Sequence, residues 1–289
     1  MTINQLLQKL DTSSPILKAT FGLERENLRV TTDGHLAQTA HPSQLGSRNF
    51  HPTIQTDFSE QQLELITPIA HSTKEARRLL GAISDVAGRS IDQSECLWPL
   101  SMPPQLTEED IIIARLENEY ERHYREGLAK KYGKKLQAIS GIHYNMELGK
   151  DLVAALFQVS SYHLLKDFKN DLYLKLARNF LRFRWLLTYL YGAAPLEEAG
   201  FYSQEYPQPI RSFRNSDYGE NIQVSYTSLE QYVTDIENYV QSGELSAEKE
   251  FYSAVRFRGQ KHNRAYLEQG ITYLEFRCFD LNPFDHLGI

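Results

Sequence analysis

Apolar residues recur along this chain with two different periods. A period near 3.6 is clearest over Thr73–Gln93, Glu108–Tyr132, Leu152–Lys166, Leu172–Tyr191 and Leu229–Gln241, and it predicts helices there. The fourth of these stops at Gly192-Ala193-Ala194-Pro195, residues that terminate helices. A period of two over residues 20–30, 53–58, 61–67, 136–148 and 271–280 predicts strands. Most helices separate strands that are distant in sequence, whereas 53–58 and 61–67 are close enough for a hairpin. The pattern therefore predicts an α+β fold with a substantially antiparallel sheet. No repeat, low-complexity stretch or linker divides the chain, so residues 1–289 read as a single domain.

The strands differ from ordinary ones in what they place on their second face. Glu24 and Glu26 are two residues apart and project to one side, while Phe21 and Leu23 project to the other. In LQAISGIHYNMEL, Ala138, Ile142, Tyr144, Met146 and Leu148 form an apolar face against Gln137, Gly141, His143, Asn145 and Glu147. Glu275 and Arg277 share a face, opposed by Leu274, Phe276 and Cys278. Glu64 stands between Leu63 and Leu65, with Asp57 shortly before it. Each pair alone fits an antiparallel sheet with one wet face. Together, carboxylates predominate and lysine is absent from these faces. If Glu24, Glu26, Asp57, Glu64 and Glu275 converge, one arginine does not offset their repulsion. Hard divalent cations would, and Mg²⁺ held by carboxylates typically bridges to nucleotide phosphates. Zinc fits less well, because His143 has no second histidine or cysteine at ligand spacing. No GxxxxGK loop is present.

Composition narrows the remaining classes. A net charge of −6 argues against nucleic acid as the main partner. The run Lys130, Lys131, Lys134, Lys135 reads as a solvated helix end. Two cysteines, Cys96 and Cys278, are too few for a disulfide framework or a thiolate metal site. The amino terminus lacks the basic-then-apolar pattern of a secretion signal. Arg178, Arg182 and Arg184 interrupt the most apolar stretch, Leu172–Leu190, which favours a buried helix over a membrane span. The expectation is a protein of the reducing cytoplasm.

Several runs carry a resemblance: FGLERENLRV (21–30), QTDFSEQQLELITP (55–68), WPLSMPP (98–104), YREGLAKKYG (124–133), QAISGIHYNMEL (137–148), YLYGAAP (189–195) and YLEFRCFDLNPFDHLGI (273–289). In this order they resemble the bacterial glutamate–cysteine ligase family, especially the ligase portion of bifunctional glutathione-synthesising enzymes. The resemblance implies a glutamine-synthetase-like fold, a curved and mainly antiparallel sheet with helices packed outside. It implies ATP and Mg²⁺ as cofactors, and L-glutamate and L-cysteine as substrates. Glu24, Glu26, Asp57, Glu64 and Glu275 are then the expected metal set. His143 and Asn145 lie beside nucleotide phosphate and metal, and Arg277 meets the transferring phosphate. The expected catalytic residues are His143 and Arg277. Tyr124, Arg125, Arg214 and Tyr252 are the expected amino-acid contacts.

The implied reaction joins glutamate's γ-carboxylate to cysteine's amine through γ-glutamyl phosphate. Two departures qualify it. Gly219-Glu220-Asn221 stands where relatives have a tyrosine, which leaves open a different amine acceptor. Relatives also continue beyond the DHLGI terminus, so the chain is expected to lack their C-terminal helical part. A catalytically inactive nucleotide-binding remnant is the third reading. Arg256, Arg258, Lys261 and His262 form a cationic cluster that fits either nucleotide phosphate or a solvated loop. His123, His163 and His262 read as surface residues.

Overall fold

A computed structural model describes residues 18–198, 201, 212 and 222–289, together with Gln5, Leu7 and Gln8. The strands are β1 (Ala19–Thr31), β2 (Ile54–Thr56), β3 (Gln62–Ile66), β4 (Glu95–Leu97), β5 (Ile142–Leu148), β6 (Val255–Arg258) and β7 (Tyr273–Phe279). They form a mixed α+β fold around one antiparallel sheet of order β2-β3-β1-β5-β7-β6, with β4 paired to the far end of β1. The helices are α1 (Thr73–Ser90), α2 (Glu119–Tyr132), α3 (Lys134–Gln137), α4 (Lys150–Gln158), α5 (Leu165–Tyr191), α6 (Leu229–Gln241) and α7 (Ala265–Gln269).

One face of the sheet is apolar and covered. Leu23, Leu63 and Leu65 pack with Ala76, Leu80 and Ala87 of α1. Val255, Phe257 and Leu274 pack with Tyr173, Leu174 and Ala177 of α5 and with Tyr232, Val233 and Ile236 of α6. Burying the valine, leucine, isoleucine and phenylalanine side chains among these is worth about 1.5–3 kcal/mol each, which forces the alternate residues onto the opposite face. No described helix is long and apolar enough to cross a membrane.

Local chemistry corrects several expected boundaries. The helix expected over Glu108–Tyr132 begins only at Glu119, where the Asn118 side chain accepts a capping hydrogen bond from Glu121 N at 3.2 Å. Upstream, the chain pairs with the segment before β3 instead: Glu60 N donates to Ile112 O at 2.7 Å and Ala114 N to Phe58 O at 3.0 Å. The β-branched run Ile111–Ile113 suits that extended path. The strand expected over 136–148 starts only at Ile142. Glu108 accepts from Lys134 N at 2.7 Å and Lys135 N at 3.2 Å, holding the preceding residues in a helical turn. The helix expected over Leu152–Lys166 ends at Gln158, and α5 opens at Leu165 rather than Leu172. At this junction the Ser160 hydroxyl donates to Phe157 O at 2.7 Å. The first helix ends at Ser90, short of Gln93, while the last keeps its expected bounds.

Strands β4 and β6 lie outside the expected set. Only three and four residues long, they are too short for a period to show. Beyond β6, Gly259 has φ +110°, and a Cβ there would sit 2.1 Å from Thr272 Oγ1. Glycine is therefore required where the chain leaves the edge strand.

Candidate active site

The strand register gathers the polar residues into rows. Glu24 lies opposite His143, and Glu26 lies opposite Glu64. One step along, Asn145 lies opposite Glu275, which in turn lies opposite Arg256. The period of two places all of these on the sheet face that the apolar residues leave. Between Ile142 and Tyr144 the β5–β7 register slips by one residue, and this bulge falls at the Arg277–Cys278 segment of the partner strand. Arg277 nevertheless stays beside Glu275, donating from Nη1 to Oε1 at 2.9 Å.

His143 is the hub. Its Nδ1 lies 3.1 Å from Glu24 Oε2 and 3.6 Å from Glu275 Oε1, and its Nε2 lies 3.4 Å from Glu26 Oε1. One ligand atom each from Glu24, His143 and Glu275 lies within 4.8 Å of the others. Asn145 donates from Nδ2 to Glu24 Oε1 at 2.9 Å, and Gly141 N donates to Glu26 Oε2 at 3.0 Å. Arg258 Nε is 3.0 Å from Glu275 Oε2, an ion-pair contact too bent to be a hydrogen bond.

These carboxylates are not electrically equivalent. Burial raises Glu275, but the charges of Arg277 and Arg258 outweigh it and hold the carboxyl below its ordinary value. Burial works against the Arg277 charge too; Glu275, Glu26 and Glu24 more than compensate, so the guanidinium is held above its usual range. Glu64 is pushed well up, first by burial and then by Asp57, Glu24 and Glu26. Asp57 is also raised by burial, against the opposing charges of Arg125 and Arg277.

The face opens into a cleft of about 710 Å³. Glu26, Asp57, His143 and Arg277 line its floor. Tyr124 and Arg125 of α2 and Tyr252 line its walls. Arg125 donates from Nε to the Asp57 carbonyl at 2.9 Å, fixing the end of β2 against α2. The Tyr252 hydroxyl is 3.4 Å from Gln137 Oε1. Thus Glu24, Glu26, Asp57, Glu64, His143, Asn145, Glu275 and Arg277 belong to one connected site, with Tyr124, Arg125 and Tyr252 on the cleft. Arg214 lies outside the described residues, as does the tripeptide Gly219-Glu220-Asn221.

Several further lining residues stand outside the expected set, among them Glu121, Gln137 and Lys249. The i,i+4 spacing of Glu121 and Arg125, which pair at 3.3 Å, was the available signal for the first. Cys278, expected only to pack the core, is buried yet also lines the cleft, where the bulge brings it. Of the cationic cluster, Arg256 and Arg258 stand on the site's edge strand, whereas Lys261 and His262 are exposed.

The donor set fits a hard cation. It offers several carboxylates and one imidazole, and Asn145 Oδ1 is buried without a hydrogen-bond partner among the described residues. Glu64, raised first by burial and then by three neighbouring carboxylates, is the kind of group a cation would relieve.

An antiparallel sheet carrying clustered carboxylates, a half-buried arginine and an adjoining cleft defines a class of site suited to phosphoryl chemistry. Residues 4–289 match the glutamate-cysteine ligase family, and the chain belongs to that family. It is 68% identical to the glutathione biosynthesis bifunctional protein GshAB of Streptococcus thermophilus, over 100% of this chain and 39% of that protein. The Enterococcus faecalis protein of the same name is 51% identical, over 100% of this chain and 40% of its own length. The chain thus spans about two-fifths of these relatives. Two solved structures agree. A bifunctional glutathione synthetase from Pasteurella multocida superposes with a TM-score of 0.89 at 48% identity, covering 95% of this chain and 37% of that one. Glutamate–cysteine ligase from Francisella tularensis, solved in complex with AMP, gives 0.84 at 31% identity, covering 94% and 63%.

Proposed function

We propose that this chain forms one catalytic unit that joins the γ-carboxylate of L-glutamate to the amine of L-cysteine, using ATP and Mg²⁺, as the first step of glutathione biosynthesis in the cytoplasm. The observation that carries this reading is the placement of Arg277 beside Glu275, on the face shared by Glu24, Glu26 and His143 and opening into the cleft of Tyr124, Arg125 and Tyr252. Family membership and an AMP-bound relative support the nucleotide.

In the first step a γ-carboxylate oxygen attacks the terminal phosphorus of ATP, and ADP leaves. An anion approaching a polyanion needs compensating charge. Magnesium held by Glu24, Glu26, Asp57, Glu64 and Glu275 would supply part of it by neutralising phosphate oxygens. Arg277, held charged and already oriented by Glu275, presents its fork to the transferring phosphoryl group. His143 and Asn145 hold Glu24 in place and face the phosphate side. In the second step the cysteine amine attacks the acyl carbon, phosphate leaves, and a carboxylate near the cysteine pocket takes up the proton that the amine loses. Tyr124, Arg125, Arg214 and Tyr252 orient the two amino acids, so that the amine meets the acyl phosphate rather than water.

The test is phosphate release by this chain with ATP, Mg²⁺, glutamate and cysteine, each omitted in turn. Release that requires all four is expected. Release that persists without cysteine, or that follows other amines in preference to it, would overturn the assignment.

A further inference from the structure

The reaction outlined above makes no use of one cation on the cleft wall. Lys249 lies in the short turn Glu248–Glu250, and its Nζ stands 3.8 Å from the centroid of the Tyr124 ring and 5.0 Å from that of Tyr120. The same nitrogen is 2.7 and 2.9 Å from the two carboxylate oxygens of Glu121. Glu121, Tyr124 and Lys249 all line the cleft.

The fold pins the backbone beneath this lysine. Glu250, 1% exposed, accepts hydrogen bonds from Lys131, from the Tyr132 hydroxyl at 2.5 Å and from Ser246 N at 2.6 Å, which ties the turn to α2. On the other side, Arg256 Nη1 donates to the Lys249 carbonyl at 3.3 Å, which ties it to β6 opposite Glu275. The ammonium is therefore delivered to the face of Tyr124 by contacts reaching both neighbouring elements. Its charge is balanced by Glu121, so it does not act as an open anion site. A cation over a tyrosine face holds the ring by attraction to its negative quadrupole, and the lysine stem covers it from solvent.

We propose that Lys249 is a positioning residue for the amino-acid end of the cleft. It fixes the Tyr124 ring, and with it the shape of the wall that Tyr124 shares with Arg125 and Tyr252. That wall selects the amine-bearing substrate. The inference rests on the ligase reading given above, with cysteine as that substrate.

Lys249→Met keeps an unbranched stem over the ring and removes the charge. Steady-state kinetics should show the KM for cysteine raised about tenfold, with kcat and the KM for ATP changed less than about twofold. Calorimetric titration of L-cysteine into protein holding a non-hydrolysable ATP analogue, Mg²⁺ and glutamate should show the same loss of affinity. Lys249→Arg should recover most of it, because a guanidinium also stacks on tyrosine and pairs with a carboxylate. An unchanged cysteine KM and Kd in Lys249→Met would overturn the inference. So would a parallel loss of ATP affinity, which marks a merely structural role. Wild-type protein that neither binds cysteine nor turns over with it would overturn the ligase reading, and the Lys249 assignment with it. The wild-type control thus separates the two failures.

Discussion

Glu64 stands directly opposite Glu26 across the β1–β3 ladder, two carboxylates side by side on the same face. Like charges at such a position destabilise a sheet, by up to roughly 1 kcal/mol even when solvated. Here burial and the further charges of Asp57 and Glu24 add to the cost and push the Glu64 carboxyl well up. Nothing in the packing of β3 requires an acid at this position, since Leu63 and Leu65 already supply its buried face. An arrangement that costs stability without a structural return is where a functional demand is expected.

Glu64→Gln tests that demand. It replaces an acid that the fold pushes toward its protonated form by an amide of nearly the same shape, so metal-free protein should melt a few degrees higher at neutral pH, about 2–4 °C per kcal/mol gained. The dependence of nucleotide binding on Mg²⁺ should weaken at the same time. A lower melting temperature with unaltered Mg²⁺ dependence would make Glu64 a structural acid and remove it from the metal set.

Arg277 yields a sharper kinetic expectation. Its half-buried guanidinium donates to Glu275 at 2.9 Å, so its direction is fixed before any substrate arrives. Lysine in its place keeps the charge and loses the planar fork. Turnover by Arg277→Lys should fall about 100-fold, the scale of losing one preorganised donor to a transition state. Nucleotide affinity should change far less. Equal losses in rate and affinity would place Arg277 in ground-state binding.

Much of the site could be read from the sequence, because strands convert spacing directly into facing. Glu24 and Glu26, His143 and Asn145, and Glu275 and Arg277 each lie two residues apart, and the sheet brings the three pairs together. What the period did not reveal was the order of strands, since register and neighbours depend on tertiary packing. The helix boundaries that failed did so where side chains captured backbone groups. Asn118 caps α2 well beyond Glu108, where the apolar period would start the helix, and Glu108 instead holds the turn before β5. Lys249 left no pattern at all: Glu121 lies 128 positions away along the chain, and only the fold makes it and Tyr124 neighbours of the lysine.

Away from the site, β1 also carries a buried ion pair. Arg29, 1% exposed, donates from Nη1 to Glu95 Oε2 at 2.8 Å and from Nη2 to the carbonyls of Thr39 and Glu60 at 2.8 and 3.1 Å. It thereby joins β1 to β4, to the loop that precedes β2 and to the turn between β2 and β3. Removing one partner leaves a buried charge uncompensated, at a cost of about 3–5 kcal/mol. Glu95→Ala should therefore lower the denaturation midpoint strongly, while replacement of both residues by apolar side chains should recover part of the loss. A small effect of Glu95→Ala would mean that the carbonyl contacts alone satisfy Arg29.

Acid should expose a different buried group. His41 lies close to Arg48, with Nδ1 3.1 Å from Thr56 Oγ1 and Nε2 buried without a partner among the described residues. Burial, and then the Arg48 charge, hold its imidazole down at about 4. The folded protein therefore keeps His41 neutral at pH values where the unfolded chain already protonates it. Between about pH 6.5 and 4 the unfolded state binds more protons, so stability falls as the pH falls through that window and is complete above it. The full shift would remove about 2 kcal/mol between pH 7 and pH 5, and solvent screening of a ring near the surface reduces this to on the order of 1 kcal/mol. His41→Gln replaces the ring with an amide that does not titrate. Urea unfolding at both pH values should show wild-type protein losing about 1 kcal/mol more than the variant on acidification. Equal losses in the two proteins would assign the acid sensitivity to other groups and show that His41 protonates as readily folded as unfolded.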